Sequence, residues 1–273
     1  MTASFNTRFR ETLRVRQSCL CVGIDPELDK LPVGLPRNAG GLVQFCREII
    51  SATAPFAAAF KVNFAFFEAL GRVGWEALAQ VAAALPEEVI KIADAKRGDI
   101  GNTARLYARA IFRELPFDAL TANPYLGEDA ALPFLEDETK GVFFLCRTSN
   151  PGSASVQLFP QREQPLYLHV AREVMKWNGR DNAGLVVGAT QPVELEHLRR
   201  ECPDLPFLIP GVGAQGGDLE FAMKAGAGAR GDLAVINASR AILEASKEAS
   251  FAEAAAQEAE SLRRKMRAVV VSS

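Results

Sequence analysis

Short apolar segments alternate with longer stretches of helical periodicity along the whole chain. Each apolar segment is bounded by Gly, Pro, Asn, Asp or charged residues, a pattern typical of buried β-strands. The eight predicted strands cover residues 19–25, 58–63, 89–96, 118–121, 141–146, 185–188, 206–209 and 233–237. Helices are predicted at residues 4–16, 40–55, 65–84, 101–114, 127–137, 164–177, 191–200 and 217–225, and again between the last strand and the C-terminus.

Regular alternation of strands and helices favours a parallel sheet that is buried on both faces. Eight such units in about 250 residues favour closure into a (β/α)8 TIM barrel over an open, doubly wound sheet. No linker or break in composition divides the chain, so we predict a single domain over 1–273 with N- and C-terminal helical extensions. The connection 150–164 is the one long enough to form a lid or a loop over a substrate.

Composition excludes several classes of function. The net charge is −2 and no basic block occurs, which argues against nucleic-acid binding. No apolar run has the length of a membrane span, and the first residues are too polar for a signal peptide. The five cysteines are scattered and odd in number, as expected for reduced thiols in a cytoplasmic protein. Cys19 and Cys21 could form half of a metal site, but no second pair or nearby histidine completes it, so no metal is predicted.

Charged side chains collect at the end of the third predicted strand. Asp94 and Lys96 are two positions apart in the strand, so their side chains point to the same face. Asp99 follows directly after the turn at Gly98. The function of a (β/α)8 barrel lies at the C-terminal ends of its strands, so this cluster is a candidate active site. The alternative interpretation is a surface ion pair at a strand end.

Lys61 lies in the second predicted strand, inside an otherwise apolar stretch. A lysine in such a position needs a charged partner or an open pocket. With Asp94, Lys96 and Asp99 it would complete an array of alternating charges, which can keep a lysine protonated next to a reacting carbon. The alternative is that its ammonium group extends to the rim of the barrel.

A glycine-rich segment, 210–217, follows the seventh predicted strand and contains the pattern Gly211-x-Gly213-x-x-Gly216. A dinucleotide fold requires an acidic residue at the end of the next strand, where this chain has Asn237. In a barrel, the loops after strands seven and eight commonly bind phosphate through glycine amides and a helix N-terminus. We therefore favour a phosphate site to which Arg240 adds a contact, while a glycine-rich turn without a ligand stays open.

From Phe5 to about Ile242, the chain resembles the orotidine 5′-phosphate decarboxylase family, in particular its longer bacterial-type subfamily. The most specific motif is Asp94-x-Lys96-Arg97-x-Asp99-Ile100-x-x-Thr103, although Asp-x-Lys-x-x-Asp by itself also marks related phosphosugar barrels. The supporting motifs are Val22-Gly23-Ile24-Asp25-Pro26, Phe60-Lys61-Val62-Asn63, Thr148-Ser149-Asn150-Pro151-Gly152, Val187-Gly188-Ala189-Thr190 and Pro210-Gly211-Val212-Gly213-Ala214-Gln215-Gly216-Gly217. Ser239 departs from the family pattern, in which a glycine is more usual.

The resemblance implies cofactor-free decarboxylation of orotidine 5′-phosphate to uridine 5′-phosphate (UMP) in de novo pyrimidine biosynthesis. Lys96 would stabilise and then protonate the carbanion at C6 of the pyrimidine, and Asp94 would lie close to the substrate carboxylate. Lys61 would position Asp94 and touch the ribose, and Asp25 would bind a ribose hydroxyl. Ser149 would hydrogen-bond the edge of the pyrimidine.

The resemblance also implies a homodimer with shared active sites. Asp99, Ile100 and Thr103 would reach into the site of the partner subunit. Gln215 and Arg240 would hold the phosphate, and Pro210 belongs to the same predicted substrate-binding set.

Two other functions remain open at this point. A magnesium-dependent phosphosugar decarboxylase or aldol-type synthase could use the same barrel, but the segment 148–151 and Gln215 suit a pyrimidine nucleotide better. A non-catalytic nucleotide-binding barrel would require a broken charge array, and all four members are present.

Overall fold

Eight parallel strands close into a barrel, in the order in which they follow along the chain. The computed structural model describes residues 3–160, 164–212, 217–228 and 230–271. Its strands are β1 (Leu20–Ile24), β2 (Ala59–Asn63), β3 (Ile90–Arg97), β4 (Ala119–Ala122), β5 (Gly141–Arg147), β6 (Ala183–Val187), β7 (Phe207–Ile209) and β8 (Ala234–Ala238). β8 pairs with β1 and closes the ring. The predicted (β/α)8 barrel is confirmed.

Helices surround the barrel and fill the connections between strands. They are α1 (Phe5–Arg16), α2 (Ala39–Thr53), α3 (Ala65–Glu68), α4 (Arg72–Ala82), α5 (Gly101–Arg109), α6 (Glu128–Leu135), α7 (Ala154–Gln157), α8 (Leu166–Trp177), α9 (Pro192–Glu201), α10 (Leu219–Gly226), α11 (Arg240–Leu243) and α12 (Phe251–Val271). A π-helical turn, Ala110–Glu114, continues α5. Short 3-10 turns occupy Leu28–Lys30, Pro124–Leu126 and Pro151–Ser153.

The apolar strands are buried on both sides, because helices cover the outer face and side chains fill the interior. α1 packs at the N-terminal end of the barrel, where the rings of Phe5 and Phe9 lie 6.0 Å from that of Phe143. α12 packs against α2 and α10, with the Phe251 ring 5.4 Å from Phe45. Among the described helices, none combines the length and the apolar character that crossing a bilayer requires.

Two connections differ in detail from the sequence prediction. The helix predicted at 65–84 is broken into α3 and α4 at Gly71, whose φ of +64° lies in the left-handed region that glycine adopts without strain. The predicted loop 150–164 contains α7, while residues 161–163 lie outside the described part of the chain.

Candidate functional site

A cavity of about 640 Å³ opens at the C-terminal ends of the strands. This is the end of a (β/α)8 barrel that carries function. The predicted site residues that line it are Asp25, Lys61, Asp94, Lys96, Ser149, Pro210 and Arg240. Two neutral polar residues that we did not single out from the sequence, Thr121 and Gln157, also line the cavity.

The charged residues form a connected array with Asp94 at its centre. The Lys61 Nζ atom lies 2.9 Å from Asp94 Oδ2 and 3.4 Å from Asp25 Oδ1. The Lys96 Nζ atom lies 2.6 Å from Asp94 Oδ1. The Lys61 side chain is only 5% exposed, whereas that of Lys96 is 52% exposed and borders the cavity. The Lys61 ammonium therefore has partners at its buried position, and the alternative of a rim-exposed lysine is not what the structure shows.

Burial and charge act in opposite directions on these groups. Burial by itself raises the pKa of Asp94, but the ammonium groups of Lys61 and Lys96 outweigh it and hold that pKa well below its ordinary value. Burial lowers the pKa of Lys61, and the carboxylates of Asp94 and Asp25 more than reverse this, so that its pKa lies above the ordinary value. Asp94 is thus an anion and Lys61 a cation at neutral pH.

A β-bulge in β3 shapes this end of the strand. Pairing with β4 shifts register between Ala93 and Arg97. Lys96 has a φ of +46°, in the left-handed region that non-glycine residues rarely adopt. Thr121 of β4 accepts a hydrogen bond from the Lys96 backbone N–H and donates one to Asp94 Oδ1, both at 3.0 Å. The sequence shows Thr121 only as a polar residue in a short strand, and its alignment with the bulge is a tertiary feature.

The predicted phosphate loop is described in part. Residues 213–216, which include Gln215, lie outside the described residues. On either side, Gly211 has a φ of +96°, and the Gly217 N–H donates to the Gly211 carbonyl at 3.0 Å. The N-terminus of α10 is capped by Asp218, whose side chain accepts from the Phe221 N–H at 3.1 Å. Since this carboxylate occupies the helix N-terminus, a phosphate bound here would depend on loop amides and on Arg240.

Ser239 is accommodated without left-handed backbone. Its φ is −113°, a value open to any residue. Its hydroxyl lies where a side chain on Gly23 would stand, since a Cβ atom at Gly23 would be 1.9 Å from Ser239 Oγ. The glycine in β1 therefore makes room for the serine that departs from the family pattern.

A second irregular strand end, that of β5, is organised around Arg147. Its guanidinium is buried and donates to Ser153 Oγ at 2.6 Å and to the Gln157 carbonyl oxygen at 3.2 Å. The same Gln157 oxygen accepts from the Thr148 N–H at 2.9 Å, and the Gln157 amide donates to Thr148 Oγ1 at 2.8 Å. Gln157 thereby fixes the start of the loop that carries Ser149. We name this arrangement of Arg147, Thr148, Ser153 and Gln157 the β5 clamp.

Asp99, Ile100 and Thr103 stand apart from the cavity. None of the three is among the described residues that line the cavity. Ile100 is 60% exposed and Thr103 is exposed at the start of α5. Leu106 of α5 and Tyr125 after β4 are also largely exposed. The segments that follow β3 and β4 thus carry exposed apolar side chains as well as the residues predicted to face the partner subunit.

The cysteines lie in the core. All five are buried and unpaired. Burial raises the pKa of Cys19 and of Cys21 to about 12. Within the described residues, no cluster of three or more His, Cys, Asp and Glu side chains has the geometry to hold a metal ion.

Fold and site together define a (β/α)8-barrel enzyme whose cavity is lined by aspartate and lysine side chains at the ends of β1, β2 and β3. Residues 18–255 match the model of the orotidine 5′-phosphate decarboxylase / HUMPS family. The chain belongs to this family.

Curated relatives and solved structures agree with this assignment. The orotidine 5′-phosphate decarboxylase of Dehalococcoides mccartyi is 49% identical over 263 residues, which cover 95% of this chain and 96% of the relative. That of Herpetosiphon aurantiacus is 50% identical over 253 residues, covering 92% and 93%. The structure of Leishmania donovani OMP decarboxylase has a TM-score of 0.86 and 39% identity, covering 99% of this chain and 100% of that one.

Proposed function

We propose that this protein is a carboxy-lyase of pyrimidine biosynthesis that converts orotidine 5′-phosphate to UMP and carbon dioxide without a cofactor. Family membership and curated relatives about half identical over nearly the whole chain support the activity. The observation that carries the mechanism is the Asp94 carboxylate held between two ammonium groups at the cavity wall.

Lys96 is the proposed catalytic group. Loss of carbon dioxide leaves a carbanion at C6 of the pyrimidine, and a fixed ammonium group stabilises that charge without reorganisation. The Lys96 side chain is half exposed and held by Asp94 at 2.6 Å, so its charge is both positioned and accessible. After stabilising the carbanion, Lys96 donates the proton that completes UMP.

The other predicted residues would bind the substrate around this centre. Asp94 would lie beside the substrate carboxylate, and Asp25 and Lys61 would face the ribose. Ser149 would contact the pyrimidine edge from the loop that the β5 clamp holds. Arg240, Pro210 and Gln215 would hold the phosphate, whose binding energy can order the site for the reaction.

We further propose a homodimer in which Asp99, Ile100 and Thr103 complete the partner's site. The position of these residues outside the cavity of their own barrel and their exposed apolar neighbours support this arrangement. A closed, symmetric dimer would bury that surface and give two equivalent shared sites.

The activity is tested by following the ultraviolet absorbance of orotidine 5′-phosphate with the purified protein in excess chelator, beside Lys96→Ala. We expect rapid loss of substrate absorbance with the wild type and almost none with the variant. No turnover by either protein would overturn the proposal. Magnesium-dependent turnover of a ketose phosphate would then identify the phosphosugar activity instead.

Shared sites are tested by mixing Lys96→Ala with Asp99→Asn after reversible dissociation. Each parent dimer lacks an intact site. A mixed dimer has one site with Lys96 from one subunit and Asp99 from the other, so we expect recovery of about a quarter of the wild-type activity at random mixing. Absence of recovery in confirmed mixed dimers would show that each site is built from one chain.

A further inference from the structure

The ladder between β3 and β4 is interrupted where the charged residues stand. Ala93 pairs with Leu120 and Arg97 with Ala122, so that residues 94–96 face Thr121 alone. Extra residues in one strand leave backbone groups without ladder partners and change the direction of side chains. The bulge therefore needs a substitute partner on β4 if Lys96 is to keep one orientation.

The Thr121 hydroxyl supplies that partner. It is buried, accepts the Lys96 N–H at 3.0 Å and donates its own hydrogen to Asp94 Oδ1 at 3.0 Å. A hydroxyl is suited to this double role because it carries one donor and two acceptor lone pairs. Without it, the Lys96 N–H would lose its partner and the left-handed backbone at Lys96 would lose a constraint.

We propose that Thr121 is a positioning residue for the reaction, acting through Lys96 and Asp94. It fixes the bulge that directs the Lys96 ammonium into the cavity, and it holds the carboxylate to which that ammonium is paired. The catalytic consequence rests on the proposed function, whereas the effect on the Lys96 backbone does not.

The positioning role predicts a separation of kinetic effects. Thr121 is on β4, while the proposed phosphate contact Arg240 follows β8, on the opposite side of the barrel. Displacing Lys96 should slow the chemical step, since small errors in placement of a catalytic group are costly. Binding through the phosphate should be retained. We therefore expect a lower kcat with little change in KM.

The test compares Thr121→Val, which removes the hydroxyl at nearly constant volume, with Thr121→Ser, which keeps it. We expect kcat to fall by about 10- to 100-fold in the valine variant, as loss of one or two buried hydrogen bonds at a catalytic centre implies. The serine variant should recover most of it, to within about threefold of the wild type. Thr53→Val is the matched control, because Thr53 is equally buried and its hydroxyl bonds only the Ile49 carbonyl within α2; we expect it to keep the wild-type kcat.

Hydrogen exchange at the Lys96 amide provides a readout independent of turnover. We expect about tenfold faster exchange in Thr121→Val, and wild-type protection in Thr121→Ser and Thr53→Val. Unchanged kcat and unchanged protection in the valine variant would overturn the inference, as would equal losses in the valine and serine variants. If the wild-type protein had no decarboxylase activity, the proposed function would be wrong. The hydrogen-exchange comparison would still show whether Thr121 holds the Lys96 backbone.

Discussion

Strands β3 and β5 end in similar irregularities that are stabilised by different chemistry. Both shift register at their C-terminal ends, β3 against β4 and β5 against β6. Each carries a cation there. Lys96 is half exposed and paired with a buried carboxylate at 2.6 Å, whereas the Arg147 side chain is 4% exposed and is held mainly by neutral oxygens, with Glu194 3.5 Å away.

This difference separates a cation that borders the cavity from a buried, structural one. The five donors of a guanidinium can satisfy several neutral acceptors at once, so Arg147 organises a loop while its charge stays away from the cavity. The compact ammonium of Lys96 is fixed by one carboxylate and still faces the space where a substrate would lie. Burial and the identity of the partners, rather than the presence of a charge at a strand end, distinguish the two roles.

The largest expected effect comes from removing a buried cation beside each strand end: Lys61 of β2, which is paired with Asp94 of β3, and Arg147 of β5. Lys61→Met should lower kcat/KM by about 1,000-fold, because Asp94 and Asp25 lose the charge that holds them near the reacting centre. Arg147→Met should lower it by only about tenfold, through a looser β5 clamp. Both should reduce the free energy of unfolding by roughly 3 kcal/mol.

Steady-state kinetics and urea unfolding measure the two quantities on the same preparations. The comparison fails if Arg147→Met loses as much activity as Lys61→Met while remaining folded, because Arg147 would then act on the reaction itself.

The second prediction concerns pH. The pKa of Asp94 is held below its ordinary 3.8, so its contribution to stability is complete above about pH 5 and is lost as the pH falls through the folded-state value. For Lys61, whose pKa is raised above 10.5, the contribution is complete below that pH and is lost at more alkaline pH. We expect the difference in unfolding free energy between wild type and Asp94→Asn to be largest between these limits and to shrink below about pH 4.

Urea unfolding of both proteins from pH 3 to pH 8 measures this difference. A gap that stays constant down to pH 3 would show that the ion pairs of Asp94 do not contribute to stability. Glu194→Gln, which replaces a carboxylate of α9 near Arg147, serves as the control in the same series.

A smaller effect is expected from loosening the β5 clamp alone. Gln157→Ala removes the amide that holds Thr148 through both its N–H and its hydroxyl. Because the loop carrying Ser149 then has more freedom, we expect KM to rise about fivefold with kcat nearly unchanged. Gln80→Ala, on the exposed surface of α4, controls for loss of a glutamine side chain.

Equal KM values for Gln157→Ala and Gln80→Ala would show that the clamp has no part in substrate binding. A large loss of kcat would instead show that Gln157 affects the chemical step, as Asp94 and Lys96 are expected to do. The ends of β3 and β5 would then no longer differ in their roles.

The smallest effect is expected for Glu194→Gln. An amide oxygen can replace the carboxylate 3.5 Å from the Arg147 Nε, because the other partners of Arg147 are already neutral. We expect less than about 1 kcal/mol of destabilisation and unchanged kinetics. Destabilisation as large as that of Arg147→Met would show that the β5 cation, like that of β2, depends on an ion pair.

Charged residues in apolar strands were the part of the site that side-chain type and spacing in the strands could predict. Burying the charge of a lysine such as Lys61 costs free energy unless an opposite charge lies beside it. Asp94 and Lys96 are two positions apart in a strand and therefore lie on one face. Thr121 and Gln157 could not be identified in this way, since threonine and glutamine are ordinary in strands and loops. Their roles depend on partners at Lys96, Asp94 and Thr148, which folding brings within hydrogen-bond distance.

The amino-acid sequence by itself determined the eight apolar strands, their alternation with helices and the cluster of opposite charges, because each of these is a local property of spacing and side-chain type. Only the tertiary structure decided which ammonium is buried, which one faces the cavity, and how a threonine on the neighbouring strand fills the bulge at Lys96. The same holds for Asp99, Ile100 and Thr103, whose place outside the cavity follows from barrel closure. Burial, register and distance between strands arise when the ring closes, and no local pattern encodes them.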